Sequence, residues 1–184
     1  MPPVKKVSRE RIIAAGVAVV RREGLAGLNA RTLASELGCS TQPIFSNFAS
    51  MEELKVEVIR QGMALYHQYL AQEMGSGQYP PYKAGGMGYI RFAKEEKELF
   101  KLLFMRDRSR EVVGDDRDEI AELIELVQAN TGANQEQAYL FHLEMWLYVH
   151  GIASMIATSY LEWDWEMISR MLSDAYQGMK GRLE

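Results

Sequence analysis

The stretch TLASELGCSTQPIFSNFASMEEL, Thr32–Leu54, carries four small polar side chains close together: Thr41, Gln42, Ser46 and Asn47. If this stretch forms a short helix, Ile44, Phe45 and Phe48 turn toward a core and the four polar residues face solvent. The amides of Gln42 and Asn47 each set a donor beside an acceptor, the pattern that pairs bidentately with an adenine edge. Thr41 can meet a thymine methyl, and each good pairing discriminates by about 1–3 kcal/mol. Arg31 stands close enough in sequence to reach a guanine or a phosphate, and Lys5, Lys6 and Arg9 form an arm suited to phosphate contact.

A second group lies in the other half of the chain. His142, Trp146 and His150 recur every four residues, so one helix face carries two imidazoles around an indole. If that face lines a cavity, the imidazoles can orient a polar or anionic ligand. The alternative is that each is a satisfied core or interface histidine. Tyr89 and Phe104 belong to an aromatic and methionine-rich set that either walls an apolar effector pocket or is plain core. Enzyme chemistry lacks its usual signs. Metal sites in helical bundles use Glu-x-x-His pairs, but Ala64, Tyr139 and Leu147 precede His67, His142 and His150 by three residues. No His-Glu-x-x-His, P-loop or Gly-x-Ser-x-Gly is present, so neither catalytic residues, metal nor cofactor are expected.

The elements that must position these residues read as helices throughout. Ile12, Ile13, Gly16, Val17, Val19 and Val20 make an apolar stripe, with Ser8 as N-cap and Gly24 as stop. Asn29 caps a short second helix that Gly38 ends, because glycine readily takes the left-handed conformation. Ser40 is expected to cap a third helix with Pro43 in its first turn, where a missing N–H breaks no helical bond. Helix, glycine turn, helix is the helix-turn-helix pattern. Ser50 and Glu53 form a capping box for a fourth helix over about 51–74. GSGQYPPYKAGG reads as a loop. Further helices are expected over Tyr89–Phe104, from Asp115 or Asp116 to near Gly132, from Asn134 to Thr158, and from Trp163 to Leu183. The fold class is therefore all-α: an N-terminal three-helix helix-turn-helix head over 1–50, then a helical regulatory and dimerisation domain over 51–184.

Composition fits this reading. At 47% apolar and 25% charged, the 184 residues can bury a core without staples. Cys39 is the only cysteine, so no intrachain disulfide can form; it reads as a small buried hydrophobe in a reducing compartment. The first residues lack a signal-peptide core, and no run approaches the roughly 20 apolar residues of a membrane span, so a cytoplasmic, non-membrane protein is expected. Residues 1–60 carry a balance of +3 and the remainder −7, as expected of a head that meets a polyanion on a body that does not.

Residues 8–60 resemble the DNA-binding head of the TetR family of bacterial transcriptional regulators. The resemblance rests on RERIIAAGVAVVRREG, LNARTLASELGCS, the Ile44-Phe45 and Asn47-Phe48 pairs, and SMEEL opening the fourth helix. MWLYVHGIA is similar to a Trp-x-x-x-His-Gly pattern of the family's regulatory domains. Phe45 stands where the family most often has tyrosine and Met51 where it often has lysine. Both usual residues commonly touch phosphates, which implies fewer backbone contacts here. The resemblance implies a DNA-facing set of Arg31, Ser40, Thr41, Gln42, Phe45, Ser46 and Asn47, and a near-palindromic double-stranded operator. Helix-turn-helix proteins commonly dimerise, and the last two helices are the expected homodimer interface, where Gly151, Ala153, Ser154 and Ala157 allow close approach; the alternative is that these small residues pack inside one subunit. The resemblance also implies a repressor released when a small molecule binds the body, coupled through the fourth helix by about 1–3 kcal/mol. An activator of the same fold and a protein-binding adaptor with a degenerate head remain open alternatives.

Overall fold

A computed structural model describes residues 7–107, 109 and 120–183. The described residues are helical, with no strand among them. They divide into two compact units. One runs up to His67 and includes Glu96–Arg106; the other takes Gln68–Glu95 and the residues from Asp107 on.

In the first unit, α1 (Arg9–Glu23) starts where Ser8 Oγ accepts the Arg11 N–H and buries Ile12, Val19 and Val20. A short 3-10 turn, Leu25–Gly27, leads to α2 (Ala30–Leu37), whose cap Asn29 accepts the Arg31 and Thr32 N–H groups at 3.1 and 3.0 Å. Gly38 ends α2 in the left-handed conformation, with φ 64°. The next helix, α3 (Gln42–Asn47), begins one residue later than expected. Thr41, not Ser40, occupies its cap and makes no side-chain capping bond, and Pro43 sits in the first turn. The proline does not need a strong cap beside it, because its fixed φ already matches the helix. Ile44 and Phe48 anchor α3 in the core.

Next comes α4 (Met51–Gly75), a 25-residue helix. Ser50 Oγ accepts the Glu53 N–H at 3.1 Å, while Glu53 reaches back to the N–H of Ala49, at 2.7 Å, rather than to that of the cap. The unit is completed by α6 (Lys97–Phe104), which packs on α1 and buries Leu99, Phe100, Leu102 and Leu103. Arg21 of α1 donates through Nε at 2.6 Å and through Nη2 to the buried carboxylate of Glu96, fastening α6 there.

The second unit is built around α5 (Pro81–Glu95), which packs on α7 (Ala121–Thr131), α8 (Gln135–Ala157) and α9 (Trp165–Lys180). The expected loop is shorter than the sequence suggested. Residues 81–86 are helical, leaving only 76–80 between α4 and α5. Pro81 is a favourable first helical residue, and buried Ala84, Met87, Tyr89 and Ile90 supply packing that outweighs the glycines' weak propensity. At Gly88 the missing side chain matters, since a Cβ there would lie 3.2 Å from Leu70 and 3.3 Å from Glu73 of α4. The expected start of the next helix at Asp115 or Asp116 lies outside the described residues, as do Lys5 and Lys6. A reciprocal Asn134–Gln137 capping box opens α8, and Asp164 caps α9, whose first residue, Trp165, lies two residues after the expected start at Trp163. No described helix is long and apolar enough to cross a membrane.

Candidate functional site

The turn between α2 and α3 presents polar groups not used by the fold. Arg31, Ser40, Gln42 and Ser46 are exposed. Arg31 forms no ion pair among the described residues. The side chains of Ser40, Thr41 and Gln42 have no hydrogen-bond partner among those residues, and Ser46 Oγ donates to the Gln42 carbonyl at 2.9 Å. Phe45 does not join Ile44 and Phe48 inside; at 52% exposure its ring lies on the same outward surface. It projects because α3 has only six residues, and Ile44 and Phe48, four apart, already fill its inward face.

Asn47 and Arg9 depart from expectation. The Asn47 side chain is half-buried and donates to the carbonyls of Pro43 at 2.7 Å and Val7 at 3.4 Å, so its amide is spent on holding the end of α3. It does not stand free to read a base. Arg9 lies in the first turn of α1, not on an arm. It donates to the Asn47 carbonyl at 2.6 Å, pairs with Glu53 at 2.9 Å and Glu57 at 3.3 Å, and lies 4.1 Å over the Phe48 ring. The Ala49 N–H, and then Arg9, hold the Glu53 carboxyl below the usual range. Arg9 thus ties α1, α3 and the start of α4 together and fixes how α3 is presented. The i,i+4 relation of Asn47 to Pro43 was readable in the sequence; the long-range role of Arg9 was not.

In the second unit, two Tyr–His pairs bridge α5 and α8. Tyr82 Oη meets His142 Nδ1 at 3.1 Å, and Tyr89 Oη meets His150 Nδ1 at 2.8 Å. Trp146 stacks on His150 with ring centroids 5.1 Å apart and 21° between planes. Burial pushes both imidazoles below their ordinary pKa, which keeps them neutral near pH 7. It pushes the Tyr82 phenol up, with neighbouring Tyr176 adding to the effect. The structure therefore brings Tyr89, Trp146 and His150 together, with Trp146 itself 42% exposed. His142 is buried and has its own partner, Tyr82, which lay in the segment read as a loop. Phe104 belongs to the first unit, where it packs against Tyr66 at 5.1 Å and Phe100 at 5.2 Å.

Small residues of α8 also divide. Ala153 and Ala157 are fully buried within the unit, so they are not available to a second subunit; only at Gly151 is the added-methyl position open. Leu140, Leu147 and Met155 of α8 and Met167 of α9 are exposed at 57, 62, 40 and 39%. Among the described residues no cluster of three or more His, Cys, Asp or Glu side chains could hold a metal ion. Cys39 is half-buried rather than buried and forms no disulfide.

Residues 82–175, just over half of the chain, match the sequence model of the tetracyclin repressor-like family's C-terminal domain. The chain belongs to the tetracyclin repressor-like family. The whole chain also has the fold of these regulators. A TetR-like transcriptional regulator from Rhodococcus sp. RHA1 superposes with a TM-score of 0.64 at 16% identity, over 98% of this chain and 96% of that one. The multidrug binding protein EbrR, solved in complex with imidazole, gives 0.57 at 20% identity over 94% and 95% of the two chains. A TetR-family member from Streptomyces coelicolor A3 gives 0.57 at 21% identity over 91% and 96%. No curated protein matches the chain significantly in sequence. Family membership makes the chain a TetR-like transcriptional regulator rather than an enzyme, with an N-terminal helix-turn-helix and a helical C-terminal domain.

Proposed function

We propose that this TetR-family regulator is a cytoplasmic repressor that binds a near-palindromic operator as a homodimer and releases it when a small molecule enters the helical body. The observation that carries the reading is the uncommitted polar surface at the α2–α3 turn. There Arg31, Ser40, Thr41 and Gln42 have side-chain donors and acceptors free for DNA; Ser46 Oγ, whose hydrogen goes to the Gln42 carbonyl, keeps only acceptor capacity, and Phe45 offers an apolar face for a thymine methyl or sugar. Residues 1–50 carry this reading surface, and residues 51–184 the regulation and the subunit interface. The exposed apolar residues of α8 and α9, Leu140, Leu147, Met155 and Met167, with open positions at Gly151 and Gly178, favour pairing of these helices with a second copy.

For the effector, Tyr89, Trp146 and His150 supply two aromatic faces and a neutral imidazole, groups that suit a compound with an aromatic part and one polar handle. His142 is the second polar position, reached through Tyr82. EbrR is named as binding multiple drugs, and a similar role suits this aromatic-rich body. Operator affinity measured by fluorescence anisotropy, with and without a panel of aromatic compounds, tests the proposal. An inducer is expected to weaken binding about 5–150-fold, the range that a coupling of about 1–3 kcal/mol implies. Operator affinity that no compound alters contradicts the effector-released repressor.

A further inference from the structure

We propose that the first turn of α5 and the inner face of α9 form a binding subsite for a small organic carboxylate, with Lys83 as its positive partner. Lys83 is half-buried, and its Nζ donates to Ser169 Oγ at 2.7 Å and Ser173 Oγ at 2.8 Å. Neither partner carries charge. Among the described residues no carboxylate pairs with this ammonium; the acids of α9, Glu166 and Asp174, are exposed and make no ion pair with it. A partly desolvated cation without a counter-charge is costly, and burial correspondingly holds this amine below the usual lysine pKa. Its position near the positive end of the α5 dipole adds to that cost. An anion in contact with Nζ removes both penalties.

Hydrogen-bond accounting defines what the anion meets. An ammonium has three N–H donors, and two of those on Lys83 go to the serines. The third has no oxygen acceptor among the described residues. Ser173 Oγ donates its own hydrogen to the Ser169 carbonyl at 3.1 Å, whereas the Ser169 hydroxyl hydrogen has no acceptor there. One N–H of Lys83 and the O–H of Ser169 are thus available as a pair of donors. A carboxylate, with two acceptor oxygens and one negative charge, matches them; a doubly charged phosphate would leave charge uncompensated. The surroundings suit an apolar or aromatic body on the ligand. The Tyr79 ring centroid is 5.1 Å from Nζ, and the neighbouring Tyr82 ring lies 5.8 Å from that of Tyr176.

The subsite names a chemical class for the proposed effector, and it rests on that proposal only for the consequence at DNA. Binding of benzoate and hexanoate to the full chain is measured by calorimetry, with benzamide and hexanamide as uncharged counterparts. Operator affinity is followed in the same samples. At least one carboxylate is expected to bind about tenfold or more tightly than its amide, the size of one charge-assisted hydrogen bond. Lys83→Met is expected to abolish that preference, with its fold checked by circular dichroism; Lys83→Gln replaces it if the methionine variant does not fold. Equal binding of acid and amide by the wild-type chain, binding of none of the four, or a preference that survives loss of the ammonium overturns the subsite. If operator binding by the ligand-free chain persists in any of these cases, the subsite fails alone. If carboxylates bind as expected but the ligand-free chain binds no operator, it is the repressor proposal that fails.

Discussion

Gln42 and Asn47 carry the same amide, yet one faces solvent and the other is spent on the fold. Their spacing on a short polar helix suggested equivalent roles. The difference comes from position: Asn47 is the last helical residue, where its amide satisfies carbonyls at the helix end and from Val7, and where Arg9 grips its own carbonyl. Truncating them separates the two roles. Gln42→Ala is expected to leave stability within about 0.5 kcal/mol and to weaken operator binding by about 1–3 kcal/mol at one base position. Asn47→Ala is expected to lower unfolding stability by about 1–2 kcal/mol through lost half-buried hydrogen bonds. Urea unfolding and anisotropy on single-base operator variants measure both. The histidines give a second expectation at this scale. His142 and His150 have folded pKa values below their ordinary 6.5 because of burial. As pH falls through 6.5 the unfolded chain takes up protons that the folded chain refuses. Stability is therefore full above that value and falls as pH drops from it toward the folded values. Thermal melts across pH 5–8 should show this loss, reduced in His142→Asn, which keeps a side-chain acceptor for the Tyr82 hydroxyl but does not titrate.

The helices were legible where local chemistry marks their ends. Ser8, Asn29, Gly38, Ser50, Gly132 and Asn134 all act at the termini their residue types suggest. Residues 81–86 were missed because proline and glycine usually signal a break, and the buried Ala84 and Met87 that hold this segment in α5 show no local mark. Tyr82 and Lys83 were missed with it. The docking of α6 on α1 through Arg21 and Glu96 was also illegible, since those residues are far apart in sequence. Close packing within the first unit is testable at Gly16 of α1, where an added Cβ would lie 2.7 Å from Val58 Cγ2 of α4. Valine at 58 is stiff and cannot swing aside. Gly16→Val is therefore expected to destabilise the chain by about 1–3 kcal/mol in urea unfolding despite the gain in helix propensity.

At the scale of the molecule, the charge asymmetry legible in the sequence is refined by pairing. Arg9, Arg21, Arg22 and Arg60 are engaged in ion pairs, whereas Arg11 and Arg31 are exposed and form none among the described residues. The basic surface available to a polyanion is thus narrower than the +3 balance of the first 60 residues suggests. The proposed division of labour, with a reading surface at the α2–α3 turn and a helical body for pairing and ligand binding, depends on that surface engaging duplex DNA. Selection of a duplex from a random library by the full chain, followed by titration of the selected site against salt, tests this most directly. The account predicts enrichment of a near-palindrome with half-sites about one helical turn apart. It also predicts that affinity falls with salt at a log–log slope of about −0.9 per phosphate contacted, and that Gln42→Ala weakens binding to the selected site. Failure to enrich any sequence, or affinity for the enriched site no greater than for an unrelated duplex, would contradict it.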